Sequence, residues 1–501
     1  MKLKQIAIAS MVVMAGSSFA AAPKVSCVTT TPLEMANTCA PEVTFYIAGA
    51  SALGDAVATV LTANSFAGYF ASPPVYVEDR GSISGTTIVH PQNNGLAGNG
   101  EAAWYGMSVP ALTGGVSKRM LLIYNKTMGS AAGVSNVMSK DIKSVALVPE
   151  ANVVAVGPVF VNGSDAKGGY KANTCVTTTN TSKIACTSVA YTKADLGLSD
   201  VDVTELVAMY PNPKLALTAM KRVPVAMQGF AIGVNNNFYN ALQAHQVTTG
   251  ALASTCTAGT YTEACQPSIS TAQYASLVAK DGGIKSAAGF IPGSTEVLTL
   301  ARRDDLSGTQ AASQIFFNKT GCNFKDPKSK INLGGMLSAT TSSMSVPGVL
   351  VVNHNVQSSN VATDLTQATG FSIGVLTLAS GAASTYKFVK LDGVSPNFAK
   401  GGTTVLSGAN LRNNMINGSW PFQVVSYVMY PTVSIDPVKG AKKSLIEKFQ
   451  ADLSDSTLHN LTAISYFTGE AAKKSLVHRA TDIVAGATAP AYNNCAPLTF
   501  K

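Results

Sequence analysis

Three times along this chain a short apolar run ends in a turn of small residues and gives way to a helical pattern, and few folds accommodate that arrangement. Val43–Ala48 alternates Val43, Phe45 and Ile47 with Thr44 and Tyr46, then passes through Gly49-Ala50-Ser51 into a helical Leu53–Leu61. Met120–Tyr124 leads to Gly129-Ser130-Ala131-Ala132-Gly133 and a helical Val134–Met138. Val297–Ala301 leads to Ser307-Gly308-Thr309 and a helical Ala311–Phe317. Alternation of this kind predicts α/β layers. Each turn would aim N–H and hydroxyl groups out of a sheet's carboxyl edge, where open α/β sheets hold ligands. Each helix N-terminus adds unpaired N–H groups and the positive end of the macrodipole. Further strands are expected at Asp195–Val201, Phe230–Val234, Phe371–Val375 and Val424–Met429. Ser444–Leu453 reads as a helix with Leu445, Ile446, Phe449 and Leu453 on one face.

The densest segment is Ala301–Gln310, in which Arg303, Asp305, Ser307, Gly308 and Thr309 spell R-x-D-x-S-G-T. An arginine upstream of such a turn offers a bidentate fork suited to a tetrahedral oxyanion. Ser-Gly-Thr ahead of a helix is equally what a plain N-cap looks like, and so is Ser199-Asp200. Arg302 and Asp304 are expected to be exposed.

The N-terminus has the parts of a secretory signal at 1–20: Lys2 and Lys4, an apolar Ile6–Gly16, and Ser18-Phe19-Ala20 as a cleavage site. The apolar stretch is too short to span a bilayer. Cleavage would lower the formal charge from +9 to +7, leaving a soluble periplasmic or secreted protein. Eight cysteines in an exported chain favour disulfides. Pairing by proximity gives Cys27–Cys39, Cys175–Cys186 and Cys256–Cys265, and by elimination Cys322–Cys495; other pairings stay open. Each short loop would contribute roughly 3 kcal/mol. No C-x-x-C supports zinc, and no metal or cofactor is expected.

About 480 mature residues exceed one usual core. Only 13% of residues are charged, and the basic excess is scattered, which argues against nucleic-acid binding. Ser82–Gly100 and Ala151–Thr192, rich in Gly, Asn, Ser and Thr, read as loops or hairpin insertions. The five histidines are dispersed, with no H-E-x-x-H, G-x-S-x-G elbow or P-loop. Nothing marks a general base beside a serine, so an enzyme is not expected.

Taken together, the turns resemble those of the phosphate-binding proteins of bacterial ABC uptake systems, which are type II periplasmic solute-binding proteins. Gly49-Ala50-Ser51 is similar to that family's G-A-[ST], Gly129–Gly133 to its G-S-x-x-G and Gly197-Leu198-Ser199-Asp200 to its G-x-S-D. Arg303–Thr309 matches R-x-D-x-S-G-T in full. Gly370–Val375 is similar to its G-A-I-G-Y strand, and Trp420-Pro421 to its W-P. The order holds from about residue 42 to the C-terminus, although the spacings from Ser51 to Ser130 and from Ser130 to Asp200 are long. A second G-S-x-S-G at Gly81–Gly85 fits the first spacing better, whereas an apolar strand leads into Gly129.

The resemblance implies a two-lobed fold joined by two crossover strands, with the insertions in the first lobe. That lobe would take 23–228 and 420–501, and the second 229–419. It implies hydroxyl donors at Ser51, Ser130, Ser307 and Thr309, N–H donors at Ala52, Gly308 and Thr309, and Arg303 as the clamp. Asp305 would hold Arg303 in place. Asp200 would accept a hydrogen bond from a protonated ligand oxygen, which hydrogen phosphate has and sulfate lacks. The function implied is binding of phosphate or a related oxyanion by a monomer that serves an ABC permease. The alternative is a secreted or surface interaction protein that keeps the scaffold with an altered ligand.

Overall fold

A computed structural model describes residues 27, 35, 39–62, 68–79, 83–84, 87–88, 101–125, 129–138, 175–177, 184–186, 194–203, 205–206, 220–279, 283–303, 307–319, 350–355, 358–367, 369–382, 384–431 and 440–454, with short strands at 465–467, 477–479, 481–482, 491–492 and 498–500. The signal segment, Asp304, Asp305, Cys322 and Cys495 lie outside the described residues.

The main strands are β1 (Val43–Gly49), β2 (Val75–Asp79), β3 (Glu101–Met107), β4 (Arg119–Asn125), β5 (Leu196–Ser199), β6 (Met220–Asn235), β7 (Leu298–Arg303), β8 (Leu350–Asn355), β9 (Phe371–Thr377) and β10 (Gln423–Pro431). They form one mixed sheet in the order β8-β7-β9-β6-β10-β5-β1-β4-β3-β2. Helices α1 (Gly54–Thr62), α2 (Gly129–Met138), α3 (Asn236–Thr248), α4 (Thr271–Val278), α5 (Gly308–Asn318), α6 (Ser358–Asp364) and α7 (Ala441–Leu453) accompany it. The elements expected from periodicity are present, with ends displaced by a few residues. One differs in kind: Gly129–Gly133 is the first turn of α2, not a loop before it.

Strand directions explain where a ligand would sit. β1 runs parallel to β4 and β5, and β7 runs parallel to β8 and β9. Between these sets stand β6 and β10, antiparallel to each other and to their outer neighbours. β6 is 16 residues long and changes partner midway: residues up to Gly229 pair with β10, and Phe230–Val234 pair with β9. The parallel sets therefore point at each other, carboxyl edge to carboxyl edge, across two connecting strands. This is the two-lobed α/β layout expected.

The connecting strands are anchored where β6 changes partner. Trp420 is fully buried, and its indole N–H donates to the Phe230 carbonyl at 2.8 Å. Phe422 packs on Phe230, Phe316 and Phe317 with ring centroids 4.6–5.5 Å apart, which fixes the C-terminal end of α5. The β6–β10 register slips between Pro224 and Ala226, as a proline without an N–H requires inside a ladder.

Glycines set the spacing on the other side. A Cβ at Gly133 of α2 would lie 2.2 Å from the Leu198 carbonyl oxygen and 3.0 Å from the Gly49 Cα. A Cβ at Gly197 would meet the Gly133 carbonyl oxygen at 2.1 Å. β1, α2 and β5 thus touch backbone to backbone.

Cys27–Cys39 and Cys256–Cys265 are disulfide-bonded. The two insertions are not independent loops. Strands at Ile83–Ser84 and Thr87–Ile88 join Cys175–Thr177 and Ile184–Cys186 in one four-stranded sheet, with Ile88 opposite Cys175 and Cys175 opposite Cys186.

Two outcomes follow. Gly133→Ala should lower stability by about 1–3 kcal/mol in a thermal or urea melt, because the neighbouring backbone must move. Intrinsic helix propensity alone would give the opposite sign. Peptide mapping under non-reducing conditions should recover Cys175 and Cys186 as a linked pair, since directly opposed antiparallel residues bring their Cβ atoms within disulfide reach.

Candidate functional site

The first carboxyl edge supplies three segments. After β1, the Ala50 N–H donates to the Leu198 carbonyl at 3.0 Å, and the Tyr124 hydroxyl donates to the Ala50 carbonyl. Ser51–Leu53 forms a single 3-10 turn leading into α1, with Ala52 half-buried. The Ser51 side chain lies outside what is described. After β4, Ser130 sits in the first turn of α2 and is fully buried. Its Oγ accepts from the Asp200 N–H at 2.9 Å, tying α2 to the end of β5. The chain beyond Asp200 is held by a buried Arg222–Asp202 ion pair at 2.7 Å and by the Asp202 N–H on Glu205 Oε2 at 3.0 Å.

The opposite edge supplies Arg303 at the end of β7 and Ser307-Gly308-Thr309 at the start of α5, all buried. Ser307 has the extended backbone of an N-cap, but its side chain makes no cap hydrogen bond. The plain capping reading therefore leaves its hydroxyl unexplained. Gly308 is where the edges meet: a Cβ there would fall 2.1 Å from Ser130 Oγ and 2.2 Å from Asp200 Oδ2. Only glycine permits that approach.

Arg303 is built in from several directions. Its N–H donates to Gln310 Oε1 at 3.2 Å, its Nε to the Asn355 carbonyl at 3.3 Å, and its Nη1 to Ser358 Oγ. Asn355 in turn donates to Asp364 Oδ2 at 2.8 Å. Gln310, Asn355 and Ser358 escape a sequence reading. Gln310 directly follows the Ser-Gly-Thr turn and is a signal of sorts; Asn355 and Ser358 carry none. Arg302 corrects an expectation. It is 4% exposed, with its Nε donating to the Arg303 carbonyl. All six residues of β7 are buried, and α5 and α6 pack against it, so a side chain near its end is covered as well.

Of the expected site residues, Ser130, Asp200 and Gly308 are brought into contact, and Arg303 acts electrostatically on Asp200. Thr309 and Ser307 flank Gly308 on the same turn. Asp200 carries the site's electrostatic tension. Burial pushes its carboxyl up to about 7, against the opposing influence of Arg303 and of a hydrogen bond from the Ser130 hydroxyl. Its Oδ1 is buried with no partner among the described residues. Among the described residues no group of three or more His, Cys, Asp or Glu could hold a metal.

No protein-family model matches the chain, and no curated protein matches it. Solved structures with a similar arrangement include a Clostridium perfringens protein assigned as a phosphate ABC transporter substrate-binding protein, with phosphate bound. It is 13% identical with a TM-score of 0.37, and the match covers 84% of this chain and 99% of that one. An ABC-type phosphate transport receptor from Vibrio cholerae is 13% identical (TM-score 0.30, 54% and 77% covered). A phosphate-binding protein from Stenotrophomonas maltophilia is 12% identical (TM-score 0.27, 52% and 76% covered).

The raised Asp200 carboxyl has a signed consequence for stability. Its folded value lies above the unfolded 3.8, so its contribution is intact below about pH 4 and declines as pH rises to about 7. At 1.36 kcal/mol per unit the loss is roughly 4 kcal/mol. In anion-free buffer Asp200→Asn should therefore raise Tm more at about pH 8 than at about pH 5. An equal change at both values would contradict it.

Proposed function

We propose that the chain is an extracytoplasmic solute-binding protein that holds phosphate or a related tetrahedral oxyanion between two lobes and presents it to an ABC-type permease. The observation that carries this reading is the meeting of Ser130, Asp200 and Gly308, from three segments far apart in sequence, with Arg303 acting on the same carboxylate. The buried Asp200 Oδ1 supports it, because such an atom needs a donor that none of the described residues provides.

In this reading Ser51, Ser130, Ser307 and Thr309 give hydroxyl donors, and Ala52, Gly308 and Thr309 give backbone N–H groups. Arg303 neutralises the anion, and Asp305 holds Arg303. Lobe 1 comprises 23–228 with 420–501 and lobe 2 comprises 229–419, closing about β6 and β10 as a hinge. Charge-assisted hydrogen bonds of about 1.5–3 kcal/mol each readily supply the roughly 8 kcal/mol of micromolar binding. Asp200 gives selectivity: ionised, it accepts from hydrogen phosphate and leaves sulfate with a buried repulsion. The chemistry is binding, with no turnover, and the protein acts as a periplasmic or secreted monomer.

A second reading, an interaction protein on the same scaffold, is favoured by one observation: the two insertions build a sheet of their own. It predicts a partner that is lost when 151–192 is deleted, with no anion affinity.

Calorimetry on refolded, dialysed protein separates the readings. Phosphate should bind, Arg303→Ala should weaken it by about 10–100-fold, and Asp200→Asn should admit sulfate. Sulfate affinity of the unaltered protein should rise as pH falls below about 7, where the Asp200 carboxyl takes up a proton and becomes a donor. No heat with phosphate, arsenate or sulfate overturns the proposal.

A further inference from the structure

The two strands joining the halves of the sheet carry polar side chains that the fold does not use. Gln228 on β6 and Ser426 on β10 are fully buried. Among the described residues, the Gln228 amide nitrogen and oxygen and the Ser426 hydroxyl have no partner. Burying such a group without a partner is unfavourable, and apolar residues would avoid it.

Register puts them beside the candidate site. Ala226 lies opposite Ser426 and Gln228 opposite Val424, so Gln228 and Ser426 share one face as diagonal neighbours. On its other side β10 pairs with β5, Tyr427 opposite Ser199. Continued by one step, that register sets Ser426 level with Asp200, whose Oδ1 is likewise unpartnered among the described residues. In the first turn of α5, Gln310 has its Oε1 on the Arg303 N–H and its buried Nε2 unpartnered.

We infer that Gln228 and Ser426 read a polar substituent on the bound oxyanion, so that the favoured guest is a small phosphate ester or phosphonate bearing a hydroxyl or amine. The inference rests on the oxyanion reading of Ser130, Asp200 and Arg303. Its logic is a count of donors. Hydrogen phosphate brings one O–H, which Asp200 Oδ1 takes, and its bare oxygens suit the amide N–H groups of Gln228 and Gln310. Gln228 Oε1 is then a buried acceptor still requiring a donor. A phosphate monoester monoanion keeps one P–O–H for Asp200, and a hydroxyl or ammonium on its substituent serves Gln228 Oε1, with Ser426 donating or accepting alongside.

The test is calorimetric titration of the dialysed chain, at one pH slightly above 7, with glycerol 3-phosphate, methyl phosphate and inorganic phosphate. Methyl phosphate is the ester without a further donor. Glycerol 3-phosphate should bind at least about tenfold tighter than methyl phosphate. That ratio should fall toward one in Gln228→Leu, and also in Ser426→Ala, which removes a single atom should leucine disturb folding. A ratio near one in the unaltered protein, or one that survives both substitutions, overturns the inference while phosphate binding leaves the oxyanion reading standing. Absence of heat with all three probes overturns both.

Discussion

Everything distinctive about this protein depends on a contact with no room for a side chain. At Gly308 the N-terminus of α5 comes against Ser130 and Asp200, which belong to the opposite edge of the sheet. A single methyl group there would hold the two edges apart. The antiparallel pair β6 and β10 makes the encounter geometrically necessary, because it turns one parallel set of strands to face the other. The glycines between β1, α2 and β5 make it close, since they bring α2, and with it Ser130, down onto the carbonyl of Leu198.

Such closeness has an electrostatic cost. A carboxylate at Asp200 is removed from water more completely than its neighbours compensate; Arg303 and the Ser130 hydroxyl offset burial only in part. Arg303 is itself held at both ends: Gln310 accepts from its backbone N–H, and Asn355 and Ser358 accept from its guanidinium. A fold under no functional demand would place apolar residues here. Unrelieved polarity concentrated at one junction is what the proposed oxyanion reading accounts for.

Much of the framework was legible because its signals are local. The apolar runs at β1, β4 and β7 and the turns after them are contiguous in sequence, so period and turn chemistry located them. Arg302 departs from expectation for a physical reason: a charged residue near a strand end suggests solvent, and only the helices packed on β7 show that it is covered. The turn Gly129–Gly133 was read as a loop because glycine disfavours helix interiors; packing against Leu198 outweighs that preference. Asn355 and Ser358 reach Arg303 across about fifty residues, a relation that no spacing rule encodes. The preference for Gly129–Gly133 over Gly81–Gly85 rests on the apolar strand before it; that the Asp200 N–H donates to Ser130 Oγ is again a relation no spacing rule encodes.

The shared sheet of the two insertions has a corollary. Its strands at 87–88 and 175–177 supply each other's ladder hydrogen bonds. Loss of either excursion would strip the survivor of a partner and leave a bare strand edge prone to pairing with other molecules. Removing one insertion therefore costs the other its strand partner, although residues 101–150 separate the two in the chain.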